Sequence, residues 1–135
     1  MPDPNLLSTT ELTAAYRSGD VSPVEATEAA LDAIDAYDGD VNAFVLVDRD
    51  RALESARASQ KRWAAGEPVG PADGVPTSIK DMFWTKDWPT LRGSALIDEA
   101  GPWPEDAPCV ASLRASGAVF LGKTTTPEFA WKGVT

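Results

Sequence analysis

Lys80 stands in the run Gly74-Val75-Pro76-Thr77-Ser78-Ile79-Lys80-Asp81, an amine at the end of a proline-led segment and directly before a loop rich in tryptophan and glycine. Pro76 restricts Val75 to extended backbone, and Thr77, Ser78 and Ile79 suit a strand, so side chains alternate between faces from here to Asp81. Ser78 and Lys80 then share a face. Asp81 takes the opposite one, which argues against a Lys80–Asp81 ion pair. A free lysine amine has a pKa of about 10.4 and acts as a base at neutral pH only when burial disfavours its charged form. A shift of three units corresponds to roughly 4 kcal/mol of differential interaction, so a lysine base needs burial rather than a rim position.

A second compact block follows, Gly122-Lys123-Thr124-Thr125-Thr126-Pro127-Glu128-Phe129-Ala130-Trp131. It lies at the C-terminal end of an apolar strand pattern over 118–121, where α/β sheets commonly hold ligands. Nucleotide binding at this block is discounted. Phe129 reads as core. Trp84, Trp88 and Trp103 fall in the long irregular stretch after Lys80, where large aromatics either line a cleft or pin a loop.

Much chemistry is excluded by what the chain lacks. It contains no histidine, so neither a Ser-His-Asp nor a Cys-His mechanism can be assembled from its residues. Cys109 is the single cysteine, so no internal disulfide can form and no cysteine cluster can hold zinc; it reads as a small buried group. No metal and no cofactor is expected. Ser94 follows Gly93, but the G-x-S-x-G elbow is absent, and a turn or polar cap accounts for it. The 21 acidic against 12 basic residues give a net charge of -9, which repels a phosphate backbone, so nucleic acid is not an expected partner. The start has no basic or apolar leader pattern, and the longest apolar run, 43–47, is far short of a bilayer span. A soluble, cytoplasmic protein is expected.

The elements that must position Lys80 are legible as patterns. Ser8-Thr9-Thr10-Glu11 and Ser22-Pro23-Val24-Glu25 fit the capping box and start two helices, joined at Ser18-Gly19-Asp20 into a hairpin over 8–38 that ends near Asp38-Gly39. Val24, Thr27, Leu31 and Ile34 share one face of the second helix. The β-branched and aromatic run 41–47 reads as a strand. Asp48 caps a helix to about Ala65, closed by Gly66, with a solvated charged face. Two prolines and two glycines make 67–74 a loop. Asp106 then caps a helix with Val110 and Leu113 inward and Gly117 at its end. At 135 residues the chain suits one domain, and the alternation of elements indicates an α/β architecture, a mixed β-sheet covered by helices.

The two blocks, in this order, resemble the amidase signature family of Ser-Ser-Lys amide hydrolases. The likeness runs from Leu12 through Val41-Asn42-Ala43-Phe44 and Pro89-Thr90-Leu91-Arg92-Gly93-Ser94 to Trp131. It implies the amidase signature fold, present as an incomplete N-terminal part with a catalytic-lysine region at 74–94. It also implies Lys80 as the base, which withdraws a proton through a bridging serine on a cis peptide bond, and that serine activates the nucleophilic serine. Both serines would lie beyond Thr135, so these residues alone are expected to be inactive. Ser78, Asp81 and Thr125 become supporting residues; most of the family has Asn at the position of Thr125. The resemblance makes Ala130 and Trp131 candidate walls of the acyl pocket, with Trp131 as a core residue the competing reading. The implied partner is a small-molecule amide, with a homodimer allowed. The nearest rival is the amidase subunit of a tRNA-dependent amidotransferase, which usually carries a Thr-Thr-Cys-Ala-Ser-like run where this chain has Pro89–Ser94. The remaining alternative is a truncated, noncatalytic interaction module.

Overall fold

Helix starts are set by local hydrogen bonds. In the computed structural model, which describes residues 3–135, the amides of Ser8 and Ser22 each donate to the carboxylate of the glutamate three residues on, at 2.8 Å in both cases, and each serine hydroxyl accepts from that glutamate's amide. These boxes open α1 (Thr9–Ser18) and α2 (Pro23–Val41). The second helix runs past Gly39 because the cap lies further on. Asn42 takes the left-handed conformation at φ 51°, and the Asp38 carboxylate accepts from the amides of Ala43 and Phe44. Val41 therefore ends a helix, and β1 is shortened to Phe44–Val47.

Asp48 caps α3 (Arg49–Ala65), which Gly66 closes at φ 74°. After the 67–74 loop come β2 (Pro76–Lys80), the irregular stretch 81–107, α4 (Pro108–Ala115) and β3 (Val119–Thr124). Asp106 does not cap α4. Arg114 donates to it through two nitrogens, at 2.6 and 2.9 Å, and the Lys86 amide donates at 2.7 Å, leaving Ala107 at the cap position without a side-chain bond. With only two turns, α4 buries Val110 alone; Leu113 and Cys109 are exposed, against the expectation that both turn inward.

The sheet has the order β1-β3-β2, with β3 antiparallel to β1 and parallel to β2, so it is mixed. β3 is buried along nearly its whole length, and its two faces hold separate parts of the core. Val119 and Leu121 pack with Leu31 of α2 and with Ala52 and Ala56 of α3. Phe120 packs on the other face with Ile79, Trp88 and Val110. The alanines of α3 let that helix close on the strand. The indole N–H of Trp88 donates to Asp48 at 2.9 Å, tying the irregular stretch to the start of α3.

One irregularity in β3 decides where its last residues point. Thr77 is opposite Phe120, but Ser78 is opposite Gly122, so Leu121 is an extra residue, a β-bulge. The bulge shifts the alternation by one. Lys123 therefore lies opposite Ile79 and Leu46, on the face of Phe120, although it is three residues from Phe120. The strand thus includes Gly122 and Lys123 rather than ending before them. Gly122 is required by packing, since a Cβ there would overlap the carbonyl oxygen of Leu46 on β1. Gly122→Ala is expected to lower the stability of the complete polypeptide by about 2–3 kcal/mol through overpacking, readable as a lower midpoint in urea or thermal unfolding.

Candidate active site

Lys80 is the last residue of β2, paired in register with Thr124. Its side chain is exposed, as is that of Ser78 on the same face, while Ile79 between them is 4% exposed and Asp81 is 3% exposed. Among the described residues the Lys80 amine has no ion-pair partner, so the burial expected of a base is not supplied by these residues. Ser78 lines a cleft of about 380 Å³ together with Leu7, Ile34, Phe44, Pro76 and Leu121. Lys80 stands one strand repeat beyond it.

Thr125 is half-buried where the chain leaves β3, its amide donating to Ala43 at 2.8 Å. The chain then enters a short 3-10 turn, Glu128–Ala130, in which Phe129 and Ala130 have φ of 50° and 54°. Polar contacts hold this segment. Ser94 donates to Glu128 at 2.7 Å and the Phe129 amide to the Arg92 carbonyl at 2.8 Å. Ser94 thus has the polar turn role expected of it. Aromatic packing contributes little, so Phe129 is 44% exposed rather than core, and Trp131, at 83%, is not core among the described residues either. Ala130 is exposed beside it. Trp84 is exposed and Trp103 half-buried, and together with Pro102 and Pro104 they line a small apolar cleft, whereas Trp88 is core.

The most completely buried large side chain in the structure is a charged one. Lys123 is 0% exposed, and its Nζ donates to the carbonyls of Phe83 at 3.1 Å and Pro89 at 3.0 Å and to the hydroxyl of Thr90. Those bonds occupy all three protons of an ammonium. The Asp81 carboxylate lies 3.0 Å away as counter-charge; its Oδ1 has no hydrogen-bond partner, so the ion pair is its whole attachment. Burial pushes the Lys123 pKa below the usual lysine value and Arg92 adds to that, while Asp81 opposes it. No local pattern signals this pairing. A lysine inside a buried strand pattern does, however, demand a carboxylate, and Asp81, on the face opposite Lys80, is the acidic group that the alternation of β2 leaves free for it.

A second buried charge anchors the loop that leads into β2. Asp73 is fully buried and accepts from Arg62 at 2.9 and 2.5 Å and from the Val69 amide at 2.9 Å, and its carbonyl accepts from the Trp63 indole at 3.1 Å. Arg62 therefore departs from the solvated charged face assigned to α3. Burial alone would raise the Asp73 pKa, but the Arg62 and Val69 hydrogen bonds outweigh it and hold the carboxyl below its ordinary value.

Spacing does not dispose of a phosphate loop, because Gly117 to Thr124 fits Gly-x4-Gly-Lys-Thr. The structure does. Residues 119–124 are a buried strand rather than a loop opening a helix, and Lys123 is consumed by its four neighbours. Among the described residues no His/Cys/Asp/Glu group could hold a metal ion, and no helix is long and apolar enough to cross a membrane.

A sequence profile of the family described as Amidase matches residues 25–135, which include β2, β3 and both blocks. This chain belongs to the amidase family. A curated relative of the amidase, a glutamyl-tRNA(Gln) amidotransferase subunit from Thermobifida fusca (strain YX), is 51% identical over 92% of the chain and 25% of its own length. Among solved structures, a bacterial aryl acylamidase of the amidase signature family superposes with a TM-score of 0.87 at 30% identity, covering 96% of this chain and 27% of that one. A chain from an inhibitor-bound complex bearing on the origins of an s-triazine catabolic enzyme gives 0.86 at 37% identity, covering 93% and 27%. The fold is that of the amidase signature enzymes, and the chain spans about a quarter of the length of the relatives it matches.

The buried charges of this amidase make its stability sensitive to substitution and to pH. Lys123→Met leaves the Asp81 carboxylate buried and unpaired, and denaturant unfolding of the complete polypeptide should show a loss of about 3–5 kcal/mol, much of it recovered when Asp81→Asn is added. Asp73 has a folded pKa below its unfolded value, so its contribution is fully present above about pH 4 and is lost as pH falls through the folded value. Asp73→Asn should therefore cost about 2 kcal/mol at pH 7, and a pH series should show the gap closing below pH 4.

Proposed function

We propose that the complete polypeptide carrying this chain hydrolyses a carboxylic amide to the acid and ammonia or an amine through an acyl-serine intermediate, with Lys80 as the terminal base. The observation that carries this reading is the position of Lys80, the exposed last residue of β2, inside the stretch that matches the amidase family. The bridging and nucleophilic serines are assigned to sequence following Thr135, and that sequence also supplies the cover that excludes water from the lysine. Ser78 shares the face of Lys80 and is a supporting group. Asp81 and Thr125 are held by β3 and by β1, and act by shaping the end of the sheet. Ala130 and Trp131, exposed on the segment leaving β3, are assigned to the wall of the substrate pocket. The reaction takes place in water and uses no cofactor; the substrate is a small amide.

A second reading has its own support. The curated relatives named as amidotransferase subunits are the more similar in sequence, at 51% and 46% identity for two of them, and the same lysine could serve in releasing ammonia from glutamine. Against it stand the Pro89–Ser94 run, which departs from that subunit's usual residues, and a net charge of -9 that offers no footprint for tRNA.

Both readings are tested on the complete polypeptide with a panel of simple primary amides, anilides and glutamine, following ammonia or aryl amine release. Lys80→Ala should lower turnover of the preferred amide by about 10²–10⁴-fold and leave the thermal transition in place. Near-normal turnover in that variant would reject Lys80 as base. Glutamine hydrolysis that appears only with partner subunits would favour the amidotransferase.

A further inference from the structure

We propose that Lys123 is a positioning residue for Lys80: its buried ammonium grips the turn after β2 at both ends and thereby fixes where the Lys80 amine stands. This rests on the reading of Lys80 as the base. The Lys80 amine is exposed and has no ion-pair partner among the described residues, so its location is set by its own main chain. That main chain is closed into a turn immediately afterwards, with the Lys80 carbonyl accepting from the amides of Met82 at 2.7 Å and Phe83 at 3.1 Å. The near end of the turn is Asp81, whose amide donates to Thr124 at 2.9 Å and whose carboxylate pairs with Lys123. The far end is the Phe83 carbonyl, which accepts from the same Nζ.

The grip extends to the return of the loop. Pro89 and Thr90 supply the other two acceptors, and the hydroxyls of Thr85 and Thr90 also donate to the Phe83 carbonyl, at 3.2 and 3.3 Å. Residues 81–90 are thus closed on one nitrogen. The β-bulge at Leu121 turns Lys123 onto this face; regular alternation would send it to the apolar side with Leu121.

Stability does not account for this arrangement. A buried ion pair is commonly no better than well-packed apolar residues of similar volume, and the face of Ile79, Trp88 and Phe120 would accept a leucine or methionine at 123. What an apolar side chain could not do is hold one carboxylate, two carbonyls and a hydroxyl in a single geometry.

The test is steady-state hydrolysis by the complete polypeptide of whichever panel amide it turns over fastest. Asp81→Asn combined with Lys123→Met leaves no unpaired buried charge, and should retain a cooperative thermal transition while kcat falls about 100-fold and KM stays within about threefold. A folded double variant with kcat within about threefold of the parent would overturn the proposal. Thr90→Val and Thr90→Ser decide the matter if that variant does not fold. Loss of the hydroxyl should lower kcat roughly tenfold and serine should restore it, whereas equal rates in the two would overturn the role of the clamp. Turnover that survives Lys80→Ala rejects the base itself, while turnover lost in Lys80→Ala but kept in the double variant rejects only Lys123.

Discussion

The ammonium of Lys123 is sealed from water between the sheet and the stretch that follows β2, and that confinement sets the terms for everything near it. Its three protons need three acceptors and its charge needs a carboxylate, and the chain supplies them from residues 81 to 90. Because those residues have no regular secondary structure of their own, this polar centre does for them what a hydrogen-bonded ladder does for a strand. Removing any one member leaves another buried without a partner.

The apolar core makes that centre tolerable. β3 is the central strand of the three, with a neighbour on each side, and it is buried on both faces. Leu31, Ala52 and Ala56 cover one face; Ile79, Trp88 and Val110 cover the other. Full burial of a side chain such as leucine is worth roughly 1.5–3 kcal/mol, and a handful of such groups outweighs the desolvation of one well-paired ion pair. The small side chains of α3 allow close approach, the Trp88–Asp48 bond ties the irregular stretch to the start of the same helix, and the Arg62–Asp73 pair fixes the loop entering β2. Lys80 is thus held by features on both sides of it in the sequence, while its own side chain is left free for chemistry.

Local patterns in the sequence carried the scaffold well. Both capping boxes, the Asp48 cap, the Gly66 stop and the alternation of Ser78, Ile79, Lys80 and Asp81 rest on interactions within a few residues, and each is found where the pattern puts it. What failed was decided at a distance. Asp106 looks like a cap until Arg114 and the Lys86 amide claim it, and Cys109 looks buried until a two-turn helix leaves it outside. Phe129 looks like core, yet the segment carrying it is held by Ser94 and Arg92. Lys123 was the largest miss, since its burial depends on a bulge two residues earlier and on a carboxylate more than forty residues away in sequence.

The bulge at Leu121 has a consequence for how this strand can vary. Side chains before and after it are read in different frames, so Phe120 and Lys123 share a face that a regular strand would divide between them. Substitution within either frame changes one contact. Loss of a single residue between Phe120 and Gly122 would merge the frames, turning the lysine toward Leu31 and Ala52 and abandoning Asp81 on the far side. Length, more than identity, is the property this segment must keep, in contrast to the loop at 67–74, whose exposed prolines lie away from any strand pairing.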